Sequence, residues 1–297
     1  MSNPLVSIIV VSYNASNTII ETLDSIKAQT YSPLELIIAE DHSTDDTAEK
    51  CKMWLAENSG RFANSKLIVN EENRGVSANL NIGILASNGA WIKTLGDDVL
   101  LPDAIEKNIT FATQNDSSIV VSMVQQFVDE TGERLDTLPP KDYQFPISNR
   151  SQYLACLKDK IIMPSPTWFY KRELYTRLGG YDEHFRLSDD IPFAHKLLEA
   201  GFCFSYLPEV TVLYRIKSTS LSNSKSLSGK QKQPFFESRY AVYREIQAPA
   251  LRKNKLYATL IHKNLYYYFY KKKIYSRDHS LARYFYGALF TFIKMFS

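Results

Sequence analysis

The sequence predicts an α/β fold, a mixed but mainly parallel sheet flanked by helices, and three observations predict it. Continuous apolar, β-branched runs recur through the first hundred residues. Helix-start chemistry and apolar residues at helical spacing follow each run. Polar clusters close the runs at their carboxyl ends. Strands that alternate with helices build parallel sheets covered on both faces, so the strands read as unbroken apolar segments.

The elements follow in order. Residues 5–12 form a strand buried on both faces. Thr18-Ile19-Ile20-Glu21 has the pattern of a capping box, and Ile19, Leu23 and Ile26 continue at helical spacing. Residues 34–39 are a second strand, and Ser43-Thr44-Asp45-Asp46 opens a helix to about residue 58. Residues 67–70 are a short third strand, Asn73-Arg74-Gly75 a turn, 77–87 a helix and 90–95 a fourth strand. Beyond residue 117 the pattern is mixed. Residues 118–124 read as a strand and 137–145 as a loop. Pro164 and Pro166 make 161–170 an edge strand or an irregular segment. Gly179-Gly180-Tyr181-Asp182 is a turn, and Ser188-Asp189-Asp190 opens a helix to about residue 200. Residues 202–207 and 210–214 are two short strands, and 218–229, with six serines and no aromatic residue, reads as a mobile loop.

Composition narrows the function classes. Three scattered cysteines, with no CxxC and no Cys/His cluster, argue against a disulfide framework or a zinc site. No leader is expected from the short apolar run near the N-terminus, and no stretch reaches the roughly 18 apolar residues of a membrane span. The expected location is the cytoplasm. The net charge of +3 is unevenly split: residues 230–297 hold 14 Lys+Arg against 3 Asp+Glu, a net +11, which leaves −8 for residues 1–229. That division sets the expected domains, an acidic body over 1–229 and a basic, aromatic helical extension over 230–297. In the extension, Tyr257, Ile261, Leu265 and Tyr268, then Leu281, Phe285, Ala288 and Phe292, recur at helical spacing. Two basic amphipathic helices of this kind suit an anionic membrane surface, the catalytic body or a second subunit.

The polar clusters converge on one rim. In open α/β sheets, ligands bind beyond the carboxyl ends of the strands. Ser12-Tyr13-Asn14, Glu40-Asp41-His42-Ser43, Asn73-Arg74-Gly75 and Gly96-Asp97-Asp98 all fall there. Two adjacent carboxylates at a strand end are costly without a cation, and a divalent ion holding a diphosphate meets that need. A turn and helix cap is the ordinary alternative for such a pair. His195 lies mid-helix and reads as a surface or packing residue.

Three segments stand in order at characteristic spacing: Val6-Ser7-Ile8-Ile9-Val10-Val11-Ser12-Tyr13-Asn14, Glu35 to Thr47 with Glu40-Asp41-His42-Ser43-Thr44-Asp45-Asp46 at its heart, and Gly89 to Asp98. Together they resemble glycosyltransferase family 2, the inverting family of GT-A fold, as found in bacterial surface-polysaccharide synthesis. The resemblance covers roughly residues 4–222. It implies transfer of a sugar from a nucleotide-diphosphate sugar, UDP-linked first, to a glycan or polyprenyl-linked acceptor at the inner face of the membrane, with Mn2+ or Mg2+ as cofactor. By the resemblance Tyr13 packs on the base and Asp41 accepts from uracil, with Val11, Asn14, Arg74, Asp97 and Lys217 completing the nucleotide site. Asp98 is the expected metal ligand, with Asp97 nearer ribose and phosphate and also a candidate ligand. Asp190 is the expected catalytic base, and Asp189 can exchange roles with it. Lys217 stands where the family often has His, and it or Arg215 is expected to meet the diphosphate. Residues 163–168 and 218–229 are expected to meet the acceptor.

Two alternatives compete. A metal-dependent nucleotidyltransferase would carry a glycine-rich basic loop after the first strand, where this chain has Ser12-Tyr13-Asn14-Ala15-Ser16. A non-catalytic glycan- or membrane-binding module would not need the four carboxylates of 97–98 and 189–190. No nucleic-acid motif accompanies the basic tail.

Overall fold

The computed structural model describes residues 3–217, 229–276 and 281–294. The chain divides into two compact units, Met1–Ile216 and Lys217–Ser297.

The first unit is built on the apolar runs. β1 (Val6–Ser12), β2 (Leu34–Glu40), β3 (Asn64–Val69) and β4 (Trp91–Leu95) are mutually parallel in the order β3-β2-β1-β4. β2 is buried along its whole length. That includes Glu35, whose carboxylate takes hydrogen bonds from Ser7, Asn64 and both the amide and side chain of Asn88. Burial opposes its ionisation, but these bonds together hold its pKa below the ordinary value. Helices α1 (Ile19–Lys27), α2 (Thr47–Asn58) and α3 (Val76–Leu85) connect the strands. α3 packs closely on β1: a Cβ on Gly83 would lie 2.4 Å from Ile9 Cγ2. The capping box expected at Thr18 does not form. Its hydroxyl donates to Ala15 O at 3.3 Å, because the chain enters α1 through a turn that already supplies the acceptor.

The rest of the sheet departs further from expectation. After β5 (Val99–Leu100) and α4 (Ala104–Gln114), β6 (Ile119–Val128) pairs with β7 (Arg134–Leu138), which takes up the start of the expected 137–145 loop. α5 (Asn149–Leu157) has a capping box between Ser148 and Ser151. β8 (Phe169–Lys171) is an interior strand between β4 and β6, not an edge. Its prolines stand before it, around a turn at Ser165–Thr167, so they cost the ladder no donor. α6 (Arg172–Leu178) and α7 (Asp190–Glu199) follow. The two short strands expected over 202–214 are one, β9 (Ser205–Ile216). Pro208 falls where the register against β6 shifts, between the pairs Val121–Tyr206 and Met123–Val210.

The second unit holds more helices than the two expected: α8 (Gly229–Val242), a π-helical turn at Tyr243–Gln247, α9 (Ala248–Lys253), α10 (Tyr257–Tyr275) and α11 (Leu281–Lys294). Aromatic rings fill its interior. Tyr243 stacks on Tyr267 at 4.5 Å, and Phe236 meets Tyr270 edge-on at 4.9 Å. Buried Lys263 donates to Gln247 Oε1 at 3.0 Å. No helix among the described residues is long and apolar enough to cross a membrane.

Candidate active site

The carboxyl ends of β1, β2, β3 and β4 bring the expected clusters to one rim. At β1, Val11 is half-buried and Tyr13 is 50% exposed. Asn14, at φ 50°, ties two loops together. Its Oδ1 accepts from Thr44 N at 2.8 Å, and its own N–H donates to Ser43 Oγ at 2.9 Å.

Asp41 is the organising group at β2. Its carboxylate accepts from Asn70 Nδ2 at 2.9 Å, Arg74 N at 2.9 Å and Gly75 N at 2.8 Å. A carboxylate has about four acceptor sites, and three of them here shape the 70–75 turn. Gly75 is required there: its φ is 88°, and a Cβ would meet Arg186 O at 2.8 Å. Arg74 pairs with Glu183 at 3.3 Å. Arg186 donates to Asn73 O at 2.6 Å and to Arg74 O at 3.2 Å. The segment leading to α7 is thereby laced over the 70–75 turn. Asn70, Glu183 and Arg186 carried no sequence signal, since their partners are distant in the chain.

The Asp97-Asp98 turn is held by one residue of β9. Arg215 N–H donates to Asp98 Oδ1 at 2.8 Å, and Arg215 Nε donates to Asp97 O at 2.7 Å. The guanidinium also pairs with Glu21 and Asp129 and lies 4.9 Å from the Phe127 ring centre. Its side chain is 2% exposed. Arg215 is therefore a brace and does not reach out to a diphosphate as expected. Asp98 is 4% exposed, while Asp97 is half-buried. Burial, then the charge of Asp97, pushes the Asp98 pKa up to about 7 against the pull of Arg215 and Lys93. Lys93 is wholly buried, its ammonium on Pro166 O, and burial lowers its pKa to about 7.

The second carboxylate pair sits at the start of α7. Asp189 occupies the N-cap position, and Asp190 Oδ1 accepts from Ile191 N at 2.8 Å. Burial, then the charge of Asp190, pushes the Asp189 pKa up to about 7. The burying wall is aromatic. Tyr170 and Tyr181 join hydroxyls at 3.1 Å, Tyr181 packs on Phe193 at 4.4 Å, and both hydroxyls feel the charge of Asp189. Tyr181 also meets Thr94 of β4, the strand that leads into the Asp97-Asp98 turn. His195 is buried edge-on to Tyr153 at 5.6 Å. Trp168 is buried, with its indole N–H on Met163 O at 3.2 Å. Lys217 follows β9 directly. Residues 218–228, in the expected acceptor loop, lie outside the described residues. A separate groove of about 640 Å³, lined by Trp91, Lys171 and Arg172, starts at the amino end of β4, away from the rim.

No group of three or more His, Cys, Asp or Glu able to hold a metal occurs among the described residues. The donor set still fits a hard cation. Magnesium-like ions take one or two protein carboxylates and complete their shell with substrate phosphates and water.

A nucleotide-type α/β sheet with a carboxylate turn on its rim and a second carboxylate pair at the start of α7 is the arrangement expected of a glycosyltransferase of the GT-A kind. Comparison with known proteins agrees. The sequence pattern of Glycosyl transferase family 2 matches residues 7–179, and the chain belongs to that family. EpsE of Bacillus subtilis, named as a glycosyltransferase, is 30% identical over 228 residues, covering 74% of this chain and 75% of that one. The glycosyltransferase MJ1057 of Methanocaldococcus jannaschii is 28% identical over 219 residues, covering 73% and 72%. Among solved structures, S. aureus TarS 1–349 with UDP-GlcNAc superposes at TM-score 0.60 with 14% identity, covering 98% and 90%. The mannosyltransferase PcManGT of Pyrobaculum calidifontis, with GDP-Man and Mn2+, superposes at TM-score 0.55 with 19% identity, covering 99% and 81%. Membership in the family removes the nucleotidyltransferase alternative.

Proposed function

We propose that this glycosyltransferase moves a sugar from a nucleotide diphosphate, UDP in the first instance, to a glycan or polyprenyl-linked acceptor by a single inverting displacement. One observation carries the reading: the carboxylate turn locked by Arg215 follows β4, and Tyr181, whose hydroxyl feels the charge of Asp189, meets Thr94 of that same strand. Tyr13 stacks on the base, and the remaining acceptor site of Asp41 takes its ring N–H. Val11, Asn14 and Arg74 shape that subsite, and Lys217 meets the diphosphate. Asp97 would hold Mn2+ or Mg2+, with Asp98 buried behind it as a brace, so the two exchange the roles expected from the sequence. The cation, when bound, neutralises charge on the departing diphosphate.

The base follows from electrostatics. Two adjacent carboxylates resist ionising together. Burial keeps Asp189 protonated up to about pH 7, so we assign Asp190, the first residue of α7, to receive the acceptor hydroxyl proton. The acceptor oxygen forms its bond to the anomeric carbon as the bond to the diphosphate oxygen breaks. Residues 1–229 perform this chemistry, and 230–297 carry the enzyme on the inner face of the cell membrane, where a lipid-linked acceptor sits.

Calorimetry with UDP, GDP, dTDP and CMP, each with and without manganese, tests the reading. We expect UDP binding that requires the metal. Metal-dependent binding of another nucleotide would overturn the uracil assignment of Asp41, and binding of none would overturn the donor site.

A further inference from the structure

The C-terminal unit turns an apolar face outward. α10 buries Leu260, Lys263, Tyr267 and Ile274. Its opposite face carries Tyr257, Ile261, Leu265 and Tyr268, all exposed, with Ile261 at 60%. Residues three and four apart share one side of a helix, so these four form a stripe. α11 repeats the arrangement with Leu281 at 88% and Phe285 at 60% exposure. Apolar stripes left open on a folded chain mark interaction surfaces.

Charge selects the partner. Neither α10 nor α11 contains an Asp or Glu. Exposed Lys271 and Lys272 extend the α10 stripe, and exposed Lys253 and Lys255 precede it. A second copy seated on the same face would set these cations against one another. An apolar stripe edged by lysines and tyrosines matches the boundary between acyl chains and anionic headgroups.

We propose that the outward stripes of α10 and α11 dock on an anionic lipid bilayer, apolar residues entering the acyl boundary and the lysines meeting lipid phosphates. This names the surface for the membrane location in the functional reading, yet lipid binding and donor binding are measured apart.

The test is flotation of the full-length protein with vesicles of phosphatidylcholine and of a phosphatidylcholine–phosphatidylglycerol mixture. Wild type should float with the mixture and not with phosphatidylcholine alone. Ile261→Asp combined with Leu265→Asp should cut flotation at least about tenfold, and Lys271→Gln with Lys272→Gln should weaken it and its salt sensitivity. Circular dichroism and nucleotide calorimetry should be unchanged in both, which separates this proposal from the donor assignment. If the aspartate variant unfolds, Phe285→Ser on α11 must show the same loss. Equal flotation of wild type and folded variants would overturn the proposal. So would equal binding to both vesicles, or a wild-type dimer that the aspartate variant converts to monomer.

Discussion

A carboxylate that braces a fold and one that receives a ligand answer differently to mutation, and Asp98 and Asp97 separate on this basis. Asp98→Ala strips the Arg215 amide of its acceptor inside the protein, a loss of about 1–3 kcal/mol. Its melting midpoint should fall by about 2–4 °C for each kcal/mol lost. Asp97→Asn, at a half-buried turn, should hold the midpoint within about 2 °C, yet lower metal-dependent nucleotide affinity at least tenfold. Calorimetry beside thermal melts decides it, and the reverse pattern would return the cation to Asp98. Asp189 gives a pH signature. Its folded pKa, about 7, lies above its ordinary value of 3.8. Its stabilising contribution is therefore complete below the unfolded pKa and is lost as pH rises through 7. Asp189→Asn has no such titration. The midpoint of Asp189→Asn minus that of wild type should grow between pH 5 and 8, and a flat difference would show that Asp189 ionises normally.

At the scale of elements, close approach and pairing decide what the sequence could show. Gly83 lets α3 lie against Ile9 of β1, so Gly83→Ala should overpack that contact and cost about 1–3 kcal/mol, read from denaturant midpoints at unchanged slope. β1, β2 and β4 were legible because strands buried on both faces write themselves as apolar runs. β8 was not, since three residues carry no periodicity and its neighbours β4 and β6 come from elsewhere in the chain. β9 was read as two pieces because Pro208 marks a break in sequence, where the sheet absorbs it as a shift of register. On α10, spacing located the stripe Tyr257, Ile261, Leu265 and Tyr268 correctly. It could not say which side faces in, because the opposite side, with Leu260, Tyr267 and Ile274, is as apolar. The rim clusters were legible as polar strand ends. The division of work between Asp97 and Asp98 was not, because its cause lies 117 positions away at Arg215.

At the scale of the whole molecule, charge is sorted along the chain, −8 over residues 1–229 and +11 over 230–297. In the reading proposed above, the acidic part carries the donor chemistry and the basic part offers the surface for lipid. The Arg215 brace adds a consequence in time. Its contacts reach back 117 residues to Asp98 and 194 to Glu21. During synthesis, β1 to β4 and the carboxylate turn leave the ribosome before the residue that locks that turn. Until then Asp98 lacks that support, and burying it is unfavourable. Contacts of such separation close late and slowly. A nascent or truncated chain ending before β9 thus lacks the residue that locks the Asp97-Asp98 turn, and on the proposed reading its competence to transfer sugar is withheld until the domain is complete.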